Sequence, residues 1–389
     1  MDPFNSKFIL SEQRMQWIDY DKGISIILVG FGHCLFTLQS HMIDLSAYPV
    51  LTYLATFLYG FRMPLFFIVS GLLVGRSLQS KGLNRYIGDR ANNILYPLLI
   101  WGIIEITMQI VSAKLSPFSA NGHVSPTKYV QLLTDPRETG HFWYLNALFC
   151  IGVIYAFVRQ VLKLGHIAQL SVGLALFCVS SNIHLHDLKA GLFTDVFQFY
   201  IFFAIGDFLS DVLLNEQVRQ RLSRWVVFIP LGIAFLVMQY FFAQINLRPS
   251  AEGINFVEHK MPFFYLIEAL VGCAFSMSVS FMLQKYGKAT WLRVIGYHSL
   301  FIYCMQMIVM DLTRIAFNRV LHISYPPALV LAVWAGGIIL PIFIYNFCLK
   351  YRLWWLYTYK RPKRQVEYLR TANIFSPVRS SPAKVSGEI

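Results

Sequence analysis

Apolar runs long enough to cross a lipid bilayer recur along nearly the whole of this 389-residue chain. A spanning α-helix needs about 20 mostly apolar residues. Inside hydrocarbon, only helices and closed barrels satisfy every backbone N–H and C=O. The runs lie at 20–38, 52–74, 94–113, 142–161, 166–183, 194–214, 225–243, 263–283, 295–316 and 326–349. The chain therefore reads as an all-α, polytopic membrane helix bundle of about ten transmembrane helices. Charged residues make up 14% of it, against about 25% in soluble domains. Tyr and Trp crowd the ends of the runs, as interfacial belts require. The first run lacks the small-residue cleavage site of a signal peptide, so it counts as the first span.

Basic residues set the orientation. The N-terminal end holds Lys7, Arg14 and Lys22; Arg76, Lys81, Arg85 and Arg90 follow the second span. Later alternate loops hold Arg159 and Lys163, then Arg219, Arg221 and Arg224, then Lys285, Lys288 and Arg293. The 39–51 loop holds no Lys or Arg. By the positive-inside rule both termini are expected in the cytoplasm. The net charge of +13 is then explained by topology and attraction to anionic membrane lipids, and calls for no nucleic acid. Residues 1–358 form one transmembrane domain, and 359–389 read as a basic, disordered cytoplasmic tail. The six cysteines fall in spans without zinc-type spacing and read as packing residues. His184, His186 and Asp187 lack a further ligand, so no metal site is expected. Asp207 and Asp211, one turn apart, read as a solvated helix end.

Ionisable groups inside lipid are costly and mark function. His33 sits within the apolar run Ile24 to Leu38, and Lys22 lies eleven residues before it. That spacing returns both to nearly one helix face, about 16 Å apart along the axis. Asp19 shares the face, so one polar stripe runs from a charged mouth to an imidazole. In the second span Arg62 precedes Met63-Pro64; its fork suits a carbonyl or carboxylate, and Ser70 and Gly71 follow. Glu105 shares a face with Trp101 and Gln109. The fourth span opens with His141-Phe142-Trp143-Tyr144-Leu145-Asn146, where Trp143 and Asn146 suit either a sugar face or an interfacial belt. Glu268, Asp311 and Gln306 lie deeper, the last on one face with Tyr303 and Ser299.

The chain resembles the membrane acyltransferase-3 family. The resemblance is carried by Asp19-Tyr20-Asp21-Lys22-Gly23-Ile24 with His33, by Arg62 through Gly71, and by Arg90 to Pro97. It continues in Phe142-Trp143-Tyr144-Leu145 and Ile295 through Tyr303. It implies an integral membrane O-acyltransferase that moves an acyl group, usually acetyl, from cytoplasmic acyl-CoA to a hydroxyl of an extracytoplasmic glycan or lipid-linked oligosaccharide. Acetyl-CoA is then a donor substrate, with no bound cofactor, and the membrane a bacterial inner one. The family's basic residue and essential histidine correspond to Lys22 and His33, with Lys22 where arginine is common. Of two family arginines at the third helix, Arg90 is present and Asn93 replaces the other. Gln306 stands where a histidine is frequent. His33 is then the base, or the acyl carrier, for which its ring must start neutral. Lys22 and Asp19 shape the donor's mouth, and Arg62 holds the oxyanion or the glycan. Ser70, Arg90, Glu105, Trp143 and Asn146 complete the expected binding residues. Without the resemblance, a transporter or flippase for a glycan or lipid-linked substrate would use the same buried charges.

Overall fold

The computed structural model describes residue 10 and residues 14–115, 124–249 and 254–361. Most of the basic tail, 362–389, therefore lies outside the described residues. Among these residues there are helices and turns and no strand. Ten helical segments correspond to the ten apolar runs: α1 (Gln16–Ser40), α2 (Pro49–Lys81), α3 (Leu83–Lys114), α4 (Trp143–Gln160), α5 (His166–Leu185), α6 (Leu192–Phe208), α7 (Trp225–Asn246), α8 (Pro262–Tyr286), α9 (Ser299–Val320) and α10 (Pro326–Lys350). Eight of them are long and apolar enough to cross a membrane. The other two, α4 and α6, have 18 and 17 residues and pack against α2 inside the bundle.

The bundle is built around α1, which packs on α2, α8, α9 and α10. More than half of its apolar window is buried (56%), against 22% for α5 and for α7 at the periphery. The peripheral helices turn residues such as Ile167, Val226 and Ile233 outward, the apolar face that lipid requires. Helices approach closely where glycines remove the side chain. Gly71 of α2 and Gly206 of α6 each sit against the other helix's backbone carbonyls, of Phe203 and Ile68. Gly23 of α1 makes the same kind of contact with Gly296, in the short helix Trp291–Tyr297 that leads into α9.

Two interruptions matter. α2 breaks at 58–61 before resuming at Arg62–Gly71. Pro64 has no N–H to return to the Gly60 carbonyl, so the helix cannot run through. Gly60 instead packs against the buried carboxylate of Glu268. α3 carries a wider π-helical turn at Ala91–Leu95. There Asn92 Oδ1 accepts from Thr358 Oγ1 (2.7 Å) and from the backbone N–H of Tyr359 (3.1 Å) and Lys360 (3.0 Å). That clamp fixes the segment after α10 onto α3.

The expectation that Asp207 and Asp211 form a solvated helix end holds only for Asp211. Asp207 is fully buried. Arg159 pairs with it, the Tyr155 hydroxyl donates to it at 2.7 Å, and His166 Nδ1 lies 3.1 Å away. The end of α4 and the start of α5 fold over it, which spacing along α6 alone could not reveal.

Candidate active site

The site is set by two parallel helices. From the Gly23–Gly296 contact, ten residues along α1 lead to His33, and ten residues through the end of the short helix and into α9 lead to Gln306. The two side chains meet, with the Gln306 amide nitrogen 2.9 Å from His33 Nδ1. Gln306 is wholly buried and its Oε1 has no hydrogen-bond partner among the described residues. Which end of an amide faces a ring nitrogen is an assignment from the network, since the two ends have the same shape. His33, in the middle of a membrane-length helix, is only partly buried.

Two aromatic groups flank that ring. His141, in the loop ahead of α4, lies with its ring centroid 5.6 Å from that of His33, and Tyr303 of α9 at 6.4 Å. His141 and Tyr303 hold each other reciprocally. His141 Nε2 donates to the Tyr303 carbonyl at 3.1 Å, and the Tyr303 hydroxyl donates to the His141 carbonyl. A carbonyl can only accept, so the His141 proton is on Nε2 and its Nδ1 carries the lone pair. Glu105 Oε1 lies 3.7 Å from that Nδ1 and accepts from Gln109 at 3.2 Å. Burial pulls the His141 ring down to about 4, against the opposing hydrogen bond to Tyr303.

Arg62 approaches from α2. Its Nη1 donates to the Leu28 carbonyl at 3.1 Å, and its guanidinium lies 4.6 Å over the Tyr59 ring. It occupies the space left by Gly32, the neighbour of His33. Arg62 is 8% exposed, so it does not snorkel to the surface, and its Nε has no hydrogen-bond partner among the described residues. The fold thus brings His33, Arg62 and Glu105 around one centre. It does not bring the others there. Lys22 stays about 16 Å down the α1 axis and makes no hydrogen bond or ion pair among the described residues. The Asp19 carboxylate is taken by Arg14 at 2.8 and 3.1 Å. Ser70 lies eight residues, about 12 Å, beyond Arg62 along α2. Arg90 donates to the Tyr86 hydroxyl at 2.9 Å and to the Leu148 carbonyl at 2.8 Å, packed against Gly152 of α4. Asn146 spends its amide on the carbonyls of Leu132 and Leu133.

Trp143 belongs to a second polar network. Arg137 lies 4.5 Å over its ring and pairs with Asp195 at 2.7 Å. Glu258 Oε1 is 3.7 Å from Arg137 and accepts from Gln198 at 2.8 Å. Gln198 Oε1 contacts His184 at 3.1 Å, and His184 stacks on His259 at 4.1 Å. Burial pushes the Glu258 carboxyl up, but the Arg137 guanidinium and the two rings more than offset that, leaving it below the usual carboxylate range. Burial pulls His259 down to about 4 even though Glu258 opposes it.

His141, Gln306 and the Arg137 network are the residues that sequence reasoning did not assign to a site. His141 was in view within the motif that opens α4, but its partners come from α3 and α9. Among the described residues there is no group of three or more side chains suited to a metal.

Comparison with known proteins bears on the chemistry. A family model described as an acyltransferase domain matches residues 15–346. The nodulation protein NolL of Sinorhizobium fredii is 35% identical over 212 residues, 52% of this chain and 50% of that protein. The nodulation protein NolL of Mesorhizobium japonicum is 32% identical over 131 residues, 34% of this chain and 32% of that protein. The matches thus span half or less of the length of these curated relatives. No solved structure matches the chain.

Proposed function

Because this chain belongs to the acyltransferase-domain family whose model covers residues 15–346, we propose that it is an integral membrane O-acyltransferase. It moves an acyl group, acetyl in the first instance, from acyl-CoA on the cytoplasmic side to a hydroxyl of an extracytoplasmic glycan. The membrane is a bacterial inner membrane with both chain termini in the cytoplasm, as the distribution of Lys and Arg suggests.

The observation that carries this reading is His33. The residue sits mid-span, is only partly buried, and its ring is met at Nδ1 by an uncharged amide. A group so placed is suited to proton transfer between two substrates arriving from opposite sides. The acceptor's O–H proton passes to His33 Nε2. The oxygen's electron pair forms the new C–O bond at the thioester carbonyl. The C–S bond then breaks with its pair on sulfur, and the thiolate takes the proton from the imidazolium. Arg62, with its Nε unpartnered beside α1, supplies a fixed donor for the oxyanion that forms between these steps. Lys22, free of any ion pair among the described residues, attracts the anionic donor at the mouth of the stripe. Arg90 braces α3 against α4 close to that end. Trp143 and Arg137 border the opposite end, where a sugar would arrive.

Mass spectrometry of surface glycans from cells with and without the chain tests the proposal. An acyl-sized mass difference is expected. Glycans moved across the membrane but unchanged in mass would contradict it and favour transport.

A further inference from the structure

We propose that Gln306 is a positioning residue for His33: its side-chain carbonyl accepts the ring's Nδ1–H, which leaves the Nε2 lone pair to take the acceptor's proton. The chemistry rests on the acyl-transfer reading above; the geometry does not.

Gln306 addresses one particular nitrogen of His33, at 2.9 Å, and is the ring's hydrogen-bond partner among the described residues. Gln306 is 0% exposed, so no bulk water competes for its amide. A neutral imidazole has one N–H and one lone pair, and whatever meets Nδ1 decides which side is basic. An NH2 end facing Nδ1 forces the proton onto Nε2 and closes the reacting nitrogen. A carbonyl end does the reverse. The two ends are related by half a turn of the terminal torsion, at no change in shape. Turnover selects between them. Once Nε2 has gained a proton the ring carries N–H on both sides, and only the carbonyl can meet Nδ1–H. In the unrotated amide Oε1 is buried with no partner among the described residues, and the rotation gives the oxygen the Nδ1–H while turning the NH2 to the vacated position.

The pair is also held rigidly. The Gly23–Gly296 contact fixes the register of the two segments that carry them. An amide does this job without adding a charge at membrane depth, which a carboxylate would do.

The test is solid-state 15N NMR of the full chain in lipid bilayers, with histidine labelled and His33 assigned by difference against His33→Ala. At pH 8 the expected spectrum has His33 protonated at Nδ1 and bare at Nε2. In Gln306→Met, which keeps the volume and loses the acceptor, the ring should shift to the Nε2–H form. Glycan acylation at equal protein level should fall on the order of tenfold to a hundredfold. Gln306→Glu restores an acceptor and should recover most of that loss. A wild-type ring protonated at Nε2, or a Gln306→Met spectrum identical to wild type, overturns the assignment. Equal losses in the Met and Glu variants would do the same. A wild-type chain that transfers no acyl group overturns instead the acyl-transfer reading, and with it the use of the lone pair, whatever the spectrum shows.

Discussion

Gly23 and Gly296 meet backbone to backbone, and a Cβ on either would overlap a carbonyl of the other segment: Leu292 for Gly23, Asp19 for Gly296. This contact is the fulcrum from which His33 and Gln306 are brought together. Gly296→Ala must push the two helices apart at a place where only backbone can move. Overpacking of this kind costs about 1–3 kcal/mol. Thermal unfolding in detergent should register that loss, and glycan acylation should fall with it. Gly88→Ala, at a helical position where a Cβ would meet nothing nearer than 4.0 Å, is the control and should not lower either.

Gly32→Ala separates activity from stability. A Cβ there would sit 2.5 Å from Arg62 Nη1, the far end of a flexible side chain. The guanidinium can swing away, so unfolding should change little while acylation drops. Arg62→Lys should impair activity as well, because a point charge does not replace the planar fork. Full activity in both variants would remove Arg62 from the proposed machinery.

Arg137→Met tests the second network. Asp195 is 0% and Glu258 3% exposed, and Arg137 is the cation that both share. Removing it leaves two buried carboxylates uncompensated, which costs about 3–5 kcal/mol. A midpoint unchanged in thermal unfolding would show that the network is not structural.

The same network sets a pH dependence. His259 is held down to about 4, whereas an unfolded ring titrates near about 6.5. Between those values the unfolded chain binds more protons, so stability should fall as pH drops from about 6.5 toward 4 and level off below. Glu258 is also shifted down: its contribution is complete above the ordinary carboxylate value of about 4.3 and is lost as pH falls through its depressed folded value. Unfolding midpoints from pH 8 downward should therefore show two limbs. His259→Gln should shrink the upper one, to which His141 also contributes, and spare the lower. An unchanged upper limb would assign it to another group.

What lies along one helix was legible in the sequence. The apolar runs matched helices, and the 3.6-residue period put Glu105, Gln109 and Trp101 on one face of α3. Contacts between helices were not legible. Nothing local to Gln306 says that it meets a ring 273 residues earlier, and nothing in the motif at His141 says that Tyr303 closes over it. Asp207 looked solvated because its period along α6 matches an end, while its partners Arg159 and His166 arrive from α4 and α5. Asn92 was passed over because its three donors lie more than 260 residues away. Gly23 and Gly296 read as single small residues; only their meeting makes them a register device.

The central claim is that His33 handles the proton of the acceptor hydroxyl. The most direct measurement is mass spectrometry of surface glycans from cells producing the wild-type chain or His33→Ala, with membrane levels of the two matched by immunoblot. The account predicts the acyl-sized mass increment with the wild type and its absence with His33→Ala, at unchanged protein level. The increment persisting at near wild-type extent in His33→Ala would contradict it.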